Sequence, residues 1–164
     1  MKAAQWVYDM VESGIDSFYK LEEGDKNYFK PGEKAYGSIP GKEDFIILEN
    51  VKATKIVWKN SGSTITDIGD GILNVEFHTK MNTIGGEVIQ GIQKAVDLAE
   101  KDFRGLVVAN DGAHFSAGAN VGMIFMFAIE QEYDELDMAV RILQNTTTRM
   151  RNSSIHAGPA PPHF

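Results

Sequence analysis

At 164 residues the chain is long enough for one domain that buries about 70% of its unfolded surface, and its 43% hydrophobic and 24% charged residues are ordinary globular values. A formal net charge of −7 without any run of lysine or arginine argues against a nucleic-acid partner, and the absence of cysteine excludes disulfide and thiol chemistry. The longest apolar run, Val121–Ile129, is far short of the ~20 residues that span a bilayer, and the N-terminus has no signal pattern, so the expectation is a cytoplasmic chain with no membrane span.

Along the chain, Ala3, Trp6, Val7, Met10 and Val11 recur at helical spacing and Gly14 supplies a stop, which predicts a short opening helix. Residues 17–20 and 27–30 are aromatic-rich and flank Glu23, Gly24 and Asp25, the pattern of a hairpin. Residues 31–42 hold glycines and prolines and read as an irregular connector, while residues 44–54 show no clear period. Residues 55–58 are a candidate strand. Residues 64–68 and 72–77 flank Gly69-Asp70-Gly71, a strong hairpin turn. In the second of these strands Leu73, Val75 and Phe77 share one face and Asn74, Glu76 and His78 the other.

After Gly86 the period changes. Val88, Ile89, Ile92, Val96, Ala99 and Phe103 form one stripe of an amphipathic helix, and residues 105–110 follow as a buried strand. Hairpin, helix, strand, loop and helix imply a right-handed crossover onto a sheet. A second amphipathic helix is expected over residues 133–150, with Leu136, Ala139, Val140, Leu143 and Met150 on one side. Residues 156–164 cannot be a central strand, because three prolines remove ladder donors; they read as a Pro/Gly tail. The expected organisation is an upstream segment (1–54), a main domain (55–155) and that tail (156–164).

The most informative stretch is residues 105–121, GLVVANDGAHFSAGANV. A buried strand ends in Asn110, Asp111 and Gly112, and a loop of tiny residues then feeds the apolar helix that opens at Val121. Small side chains let a ligand approach the main chain, and amides at a helix start are unpaired donors aimed outward. Such a loop can receive a carbonyl oxygen that becomes negative during a reaction. It can equally be a tight strand-to-helix connection.

The sequence FSAGAN (115–120) resembles the first oxyanion-hole loop of the crotonase family, the enoyl-CoA hydratases and isomerases, where F-x-A-G-A-D/N follows a strand of the GLVV kind. A second match, VEFHTKMN (75–82), is similar to the family's strand, loop and "A-L-N"-like turn. Residues 59–155 resemble the hydratase part of fused 3-hydroxyacyl-CoA dehydrogenase/enoyl-CoA hydratase proteins, and residues 6–20 the region connecting the two parts. The resemblance implies an α/β fold, the N-terminal half of a ClpP/crotonase-like fold built of repeated ββα units. It makes the Ala119 N–H the first oxyanion donor and turns the Ala117 carbonyl toward the adenine amino group of coenzyme A. Asn120 stands where many members carry Asp, and His78, Lys80 and Met81 occupy the coenzyme A-contacting turn. Lys80 could offer a charge to a phosphate; otherwise it is a solvated loop lysine.

The family continues beyond this point with a second oxyanion loop and paired catalytic glutamates that the chain does not show. A fragment interrupted near Ile155, by a changed reading frame, is therefore expected, inactive by itself, and no catalytic side chain is assigned. Glu130, Glu132 and Glu135 read as a solvated helix start. The implied function is a share in hydrating 2-enoyl-CoA to 3-hydroxyacyl-CoA within a multifunctional fatty-acid β-oxidation protein. Coenzyme A enters as a substrate thioester rather than a cofactor, and without G-x-G-x-x-G any NAD would belong to a dehydrogenase module elsewhere. The four histidines lack metal-ligand spacing. The apolar helix from Val121 could line an acyl tunnel or form a trimer-type contact with further copies or the remainder of the parent chain. Two rivals stand beside this: a coenzyme A-binding or assembly module without catalysis, and a serine hydrolase using Ser116 with His114, although no G-x-S-x-G accompanies that serine.

Overall fold

Helical spacing near the N-terminus and strand alternation after Lys55 build two separate compact units in the computed structural model, residues 1–54 and 55–164. The structure describes residues 2–22, 25–41, 45–52, 55–112 and 114–160.

In the first unit, helix α1 (Gln5–Glu12) buries Met10 and stops before Gly14, which adopts φ 75°. Strands β1 (Tyr19–Glu22), β2 (Asp25–Lys30) and β3 (Ala35–Ser38) form an antiparallel sheet in that order, with Tyr19 opposite Tyr28 and Phe29 opposite Tyr36. The expected hairpin is present as β1 and β2; its turn residues Glu23 and Gly24 lie outside the described residues. The irregular connector expected over 31–42 is corrected, because its residues 35–38 are a strand. A turn over residues 31–34, ending with Lys34 in the left-handed region at φ 51°, brings this segment back beside β2. The backbone ladder and the edge contact of Tyr36 with the Phe29 ring, centroids 5.7 Å apart, hold it there without any alternation a sequence reading could detect. A short helix, α2 (Leu48–Lys52), follows.

The second unit contains strands β4 (Ile56–Lys59), β5 (Ser63–Gly69) and β6 (Ile72–Phe77), helix α3 (Gly86–Asp102), strand β7 (Gly105–Val108), helices α4 (Val121–Ile129) and α5 (Tyr133–Arg151), and strand β8 (His156–Pro159). The sheet order is β4-β5-β6-β7-β8; the first three strands are antiparallel neighbours, and β7 and β8 continue parallel to β6. At the β5–β6 turn Gly69, Asp70 and Gly71 all have positive φ, a backbone path open to these residue types.

Ile65, Leu73, Val75, Phe77, Leu106 and Val108 of the sheet pack under Val88, Ile92, Ala95, Val96 and Ala99 of α3; of the stripe read from the sequence, Val88, Ile92, Val96 and Ala99 are in this core, Phe103 is partly buried against it, and Ile89 is outside it. The other face of β6 is also buried, so Asn74 and Glu76 form a polar interior layer rather than a solvated one. Helix α5 lies on α3, where the Gln93 Nε2 donates to Thr146 Oγ1 at 2.7 Å and Arg149 meets Asp97 and Glu100. Leu136, Ala139, Leu143 and Met150 are half-buried as expected, whereas Val140 is exposed.

The Pro/Gly tail expected over 156–164 is also corrected. Residues 156–159 are a strand, paired in parallel with β7 at the sheet edge, and Ala160 N donates to Val108 O at 2.9 Å. An edge strand needs donors on one side only, so Pro159 at its end is tolerated. Residues 161–164 lie outside the described residues. No helix among the described residues is long and apolar enough to cross a membrane.

Candidate functional site

Strands β6 and β7 run parallel and end side by side, so the loops that leave them are neighbours. Asn110, only 5% exposed, joins the two: its Oδ1 accepts from Phe77 N at 2.7 Å, and its Nδ2 donates to the Phe115 carbonyl. The first loop then makes a tight 3-10 turn, Lys80–Asn82, in which Met81 and Asn82 both adopt left-handed φ, 56° and 52°.

Four hydrogen bonds lace the first loop, this turn and Ile84 just after it, to the second loop. Ser116 Oγ donates to Asn82 O at 2.7 Å, Asn82 Nδ2 donates to His114 O at 3.0 Å, Ala117 N donates to Met81 O at 3.1 Å, and Ile84 N donates to Gly118 O at 2.8 Å. Within the second loop Ser116 Oγ also accepts from Gly118 N at 3.0 Å. Gly118 needs its φ of +88°, which a side chain would strain. The amides of Ala117 and Gly118 are occupied, while among the described residues nothing accepts from the amide of Ala119, which is exposed. Asn120 caps α4: its Oδ1 accepts from Met123 N at 3.3 Å and its carbonyl from Ile124 N at 3.3 Å.

The six residues named by the family resemblance divide between these two loops. His78, Lys80 and Met81 stand on the first and are exposed. His78 Nε2 lies 3.1 Å from Thr64 Oγ1, and no carboxylate among the described residues pairs with Lys80. Ala117, Ala119 and Asn120 stand on the second, also exposed. The lacing just described brings the two groups together.

Ser116 is placed differently from what a nucleophile requires. Its hydroxyl is engaged in two main-chain bonds, and His114 joins the network through its carbonyl alone, with no bond from its ring to Ser116. Glu130, Glu132 and Glu135 are exposed around the α4–α5 turn. No group of three or more metal-ligating side chains occurs among the described residues. The resolved electrostatic shifts lie away from the loops, on surface pairs: the guanidinium of Arg149 is raised by its hydrogen bond to Asp97, and that of Arg141 by its bond to Asp137.

Helix α4, starting at the loop's end, buries none of its residues; Val121, Phe125, Met126 and Ile129 are each more than half exposed. The residues that sequence reasoning missed are Asn82 and Asn110. The available signal was chemical: Asn is the side chain that tolerates left-handed backbone and can cap both a donor and an acceptor.

No protein-family model matches the chain. A Bacillus subtilis protein carrying the name of a probable 3-hydroxyacyl-CoA dehydrogenase is 35% identical over 157 residues, 95% of this chain and 20% of that protein. A Rickettsia prowazekii protein that carries the name of a fatty acid oxidation complex trifunctional enzyme is 28% identical over 131 residues, 80% of this chain and 17% of its own length. The chain thus spans about a fifth of the length of such relatives. Among solved structures, an enoyl-CoA hydratase from Polaromonas superposes with a TM-score of 0.55 at 20% identity, over 60% of this chain and 39% of that one. With its parallel β6-α3-β7 crossover, its two laced loops and these neighbours, the chain carries the crotonase fold of the enoyl-CoA hydratases.

Proposed function

We propose that the two laced loops receive a coenzyme A thioester and that Ala119 N–H donates to its carbonyl oxygen. The chain then contributes the first half of an oxyanion site to a longer protein that hydrates 2-enoyl-CoA to 3-hydroxyacyl-CoA in fatty-acid oxidation. In that reaction water oxygen bonds to C3 and a proton reaches C2, with negative charge passing through the thioester oxygen as an enolate. One preorganised donor at that oxygen is typically worth about 3–4 kcal/mol in a dry site. His78, Lys80 and Met81 on one loop and Ala117 and Asn120 on the other are the candidates to hold the coenzyme A moiety. The proton transfers fall to carboxylates that the resemblance places outside this chain, so the polypeptide by itself is expected to bind but not to turn over.

The observation that carries this reading is the unengaged Ala119 amide beside two engaged ones. The test is titration of the full chain with acetyl-CoA, followed by calorimetry and by amide resonances. Binding that shifts the Ala119 amide, and that weakens in Ala119→Pro, is expected. Saturation without any change at residues 117–120 would sink the proposal. The bare apolar surface of α4 supports a second reading, an assembly module that contacts other chains without chemistry; light scattering distinguishes it.

A further inference from the structure

We propose that Asn82 and Ser116 act together as the positioning pair that leaves the Ala119 amide free and aimed outward; this rests on the thioester-binding reading above. The two residues sit 34 positions apart, and each donates a side-chain hydrogen bond across the loops to a main-chain carbonyl. Ser116 Oγ donates to the carbonyl of Asn82, and the Asn82 side-chain amide donates to the carbonyl of His114, two residues before the serine. A hydroxyl has one proton and two lone pairs. Ser116 spends the proton on Asn82 and one lone pair on the Gly118 amide at 3.0 Å, so it transmits the position of the first loop to the second.

Asn82 itself adopts a left-handed φ of 52°. It accompanies a turn in which the carbonyls of Met81 and Asn82 both accept from the second loop, from Ala117 N and Ser116 Oγ. The two amides immediately before Ala119 are thereby engaged: Ala117 by Met81 O, Gly118 by Ser116 Oγ. Without the serine hydroxyl, Gly118 N loses its acceptor, and the peptide planes on either side of Gly118 are free to rotate. Ser116 is therefore a positioning residue, not a nucleophile, and Asn82 is its anchor. Neither touches the substrate in this account; both act through the direction of the Ala119 N–H.

The test uses the full chain and two probes that differ only in the carbonyl, acetyl-CoA and the thioether S-ethyl-CoA. A net hydrogen bond should make the native chain prefer the thioester by about fivefold. In Ser116→Ala and Asn82→Gly that preference is expected to vanish while S-ethyl-CoA affinity is unchanged; glycine keeps the left-handed backbone and removes only the side-chain amide. Ser116→Thr, which restores the hydroxyl, is expected to recover the preference. Variants that keep the native preference overturn the positioning role and leave the thioester reading intact. A native chain that does not distinguish the two probes overturns both. Should a variant fold poorly, amide exchange in the native chain decides: protected Ala117 and Gly118 beside a fast-exchanging Ala119 are expected, and equal exchange at all three refutes the pair.

Discussion

Gly91 of α3 lies so close to Ser63 of β5 that a Cβ added at Gly91 would stand 2.0 Å from the serine Oγ and 2.8 Å from its Cβ. Both partners are buried, and Ser63 is itself held by Asn60 Oδ1 at 3.0 Å, so neither can yield cheaply. Gly91→Ala is expected to lift α3 from the sheet and to cost about 1–3 kcal/mol, the usual range for overpacking. Urea denaturation measures it; an unchanged midpoint would mean that the helix is not seated this closely.

Asn110 presents a different kind of dependence. Asn110→Ala leaves the Phe77 N–H and the Phe115 carbonyl without their partners in a buried region. The expected cost is about 1–3 kcal/mol, with faster hydrogen exchange at Phe77. Asn110→Asp keeps the acceptor for Phe77 and loses the donor, so its Phe77 amide should stay protected while the loop loosens.

At the start of α4, Asn120→Ala removes the side-chain acceptor for Met123 N. A lost N-cap costs about 1 kcal/mol, and the signature should be fraying confined to the first turn of α4 by amide exchange. Asn120→Asp, which places a negative charge at the helix N-terminus, is expected to hold the helix at least as well.

The exposed residues Phe125 and Met126 make a further prediction for α4. Phe125→Glu with Met126→Glu should leave folding stability within about 0.5 kcal/mol, since neither side chain is buried. Concentration-dependent self-association, followed by light scattering, should fall. A stability loss of several times that size would show that this face of the helix is buried within its own unit.

The surface pair of Lys20 and Glu22 tests the electrostatics by pH. The Lys20 hydrogen bond and charge hold the Glu22 carboxyl below its ordinary 4.5, so its contribution is full above that value and is lost as pH falls through the lowered one. Glu22 in turn raises Lys20 above 10.5, a contribution full below that value and lost as pH rises through the raised one. The pair therefore acts across the neutral range, screened by salt because both groups are exposed. Carboxyl carbon shifts should show the Glu22 midpoint rising toward its ordinary value in Lys20→Met.

The backbone periods of β5, β6, α3 and α5 were legible in the chain because burial selects apolar residues at spacings of two and of three to four. The small-residue loop and its partner motif were legible too, because close approach to a main chain restricts residue size. Two strands were not. Ala35–Ser38 and His156–Pro159 are held by a neighbour's ladder at a sheet edge, where no side-chain alternation is demanded. The side-chain bonds of Asn82, Asn110 and Ser116 to the main chain were equally hidden, since residues such as 82 and 116 meet only after β6 and β7 lie in parallel. Sequence alone determined which segments bury one face and where the backbone can be approached. Tertiary structure decided which amides are engaged and which are left, because hydrogen-bond partners are assigned by position in space, not along the chain.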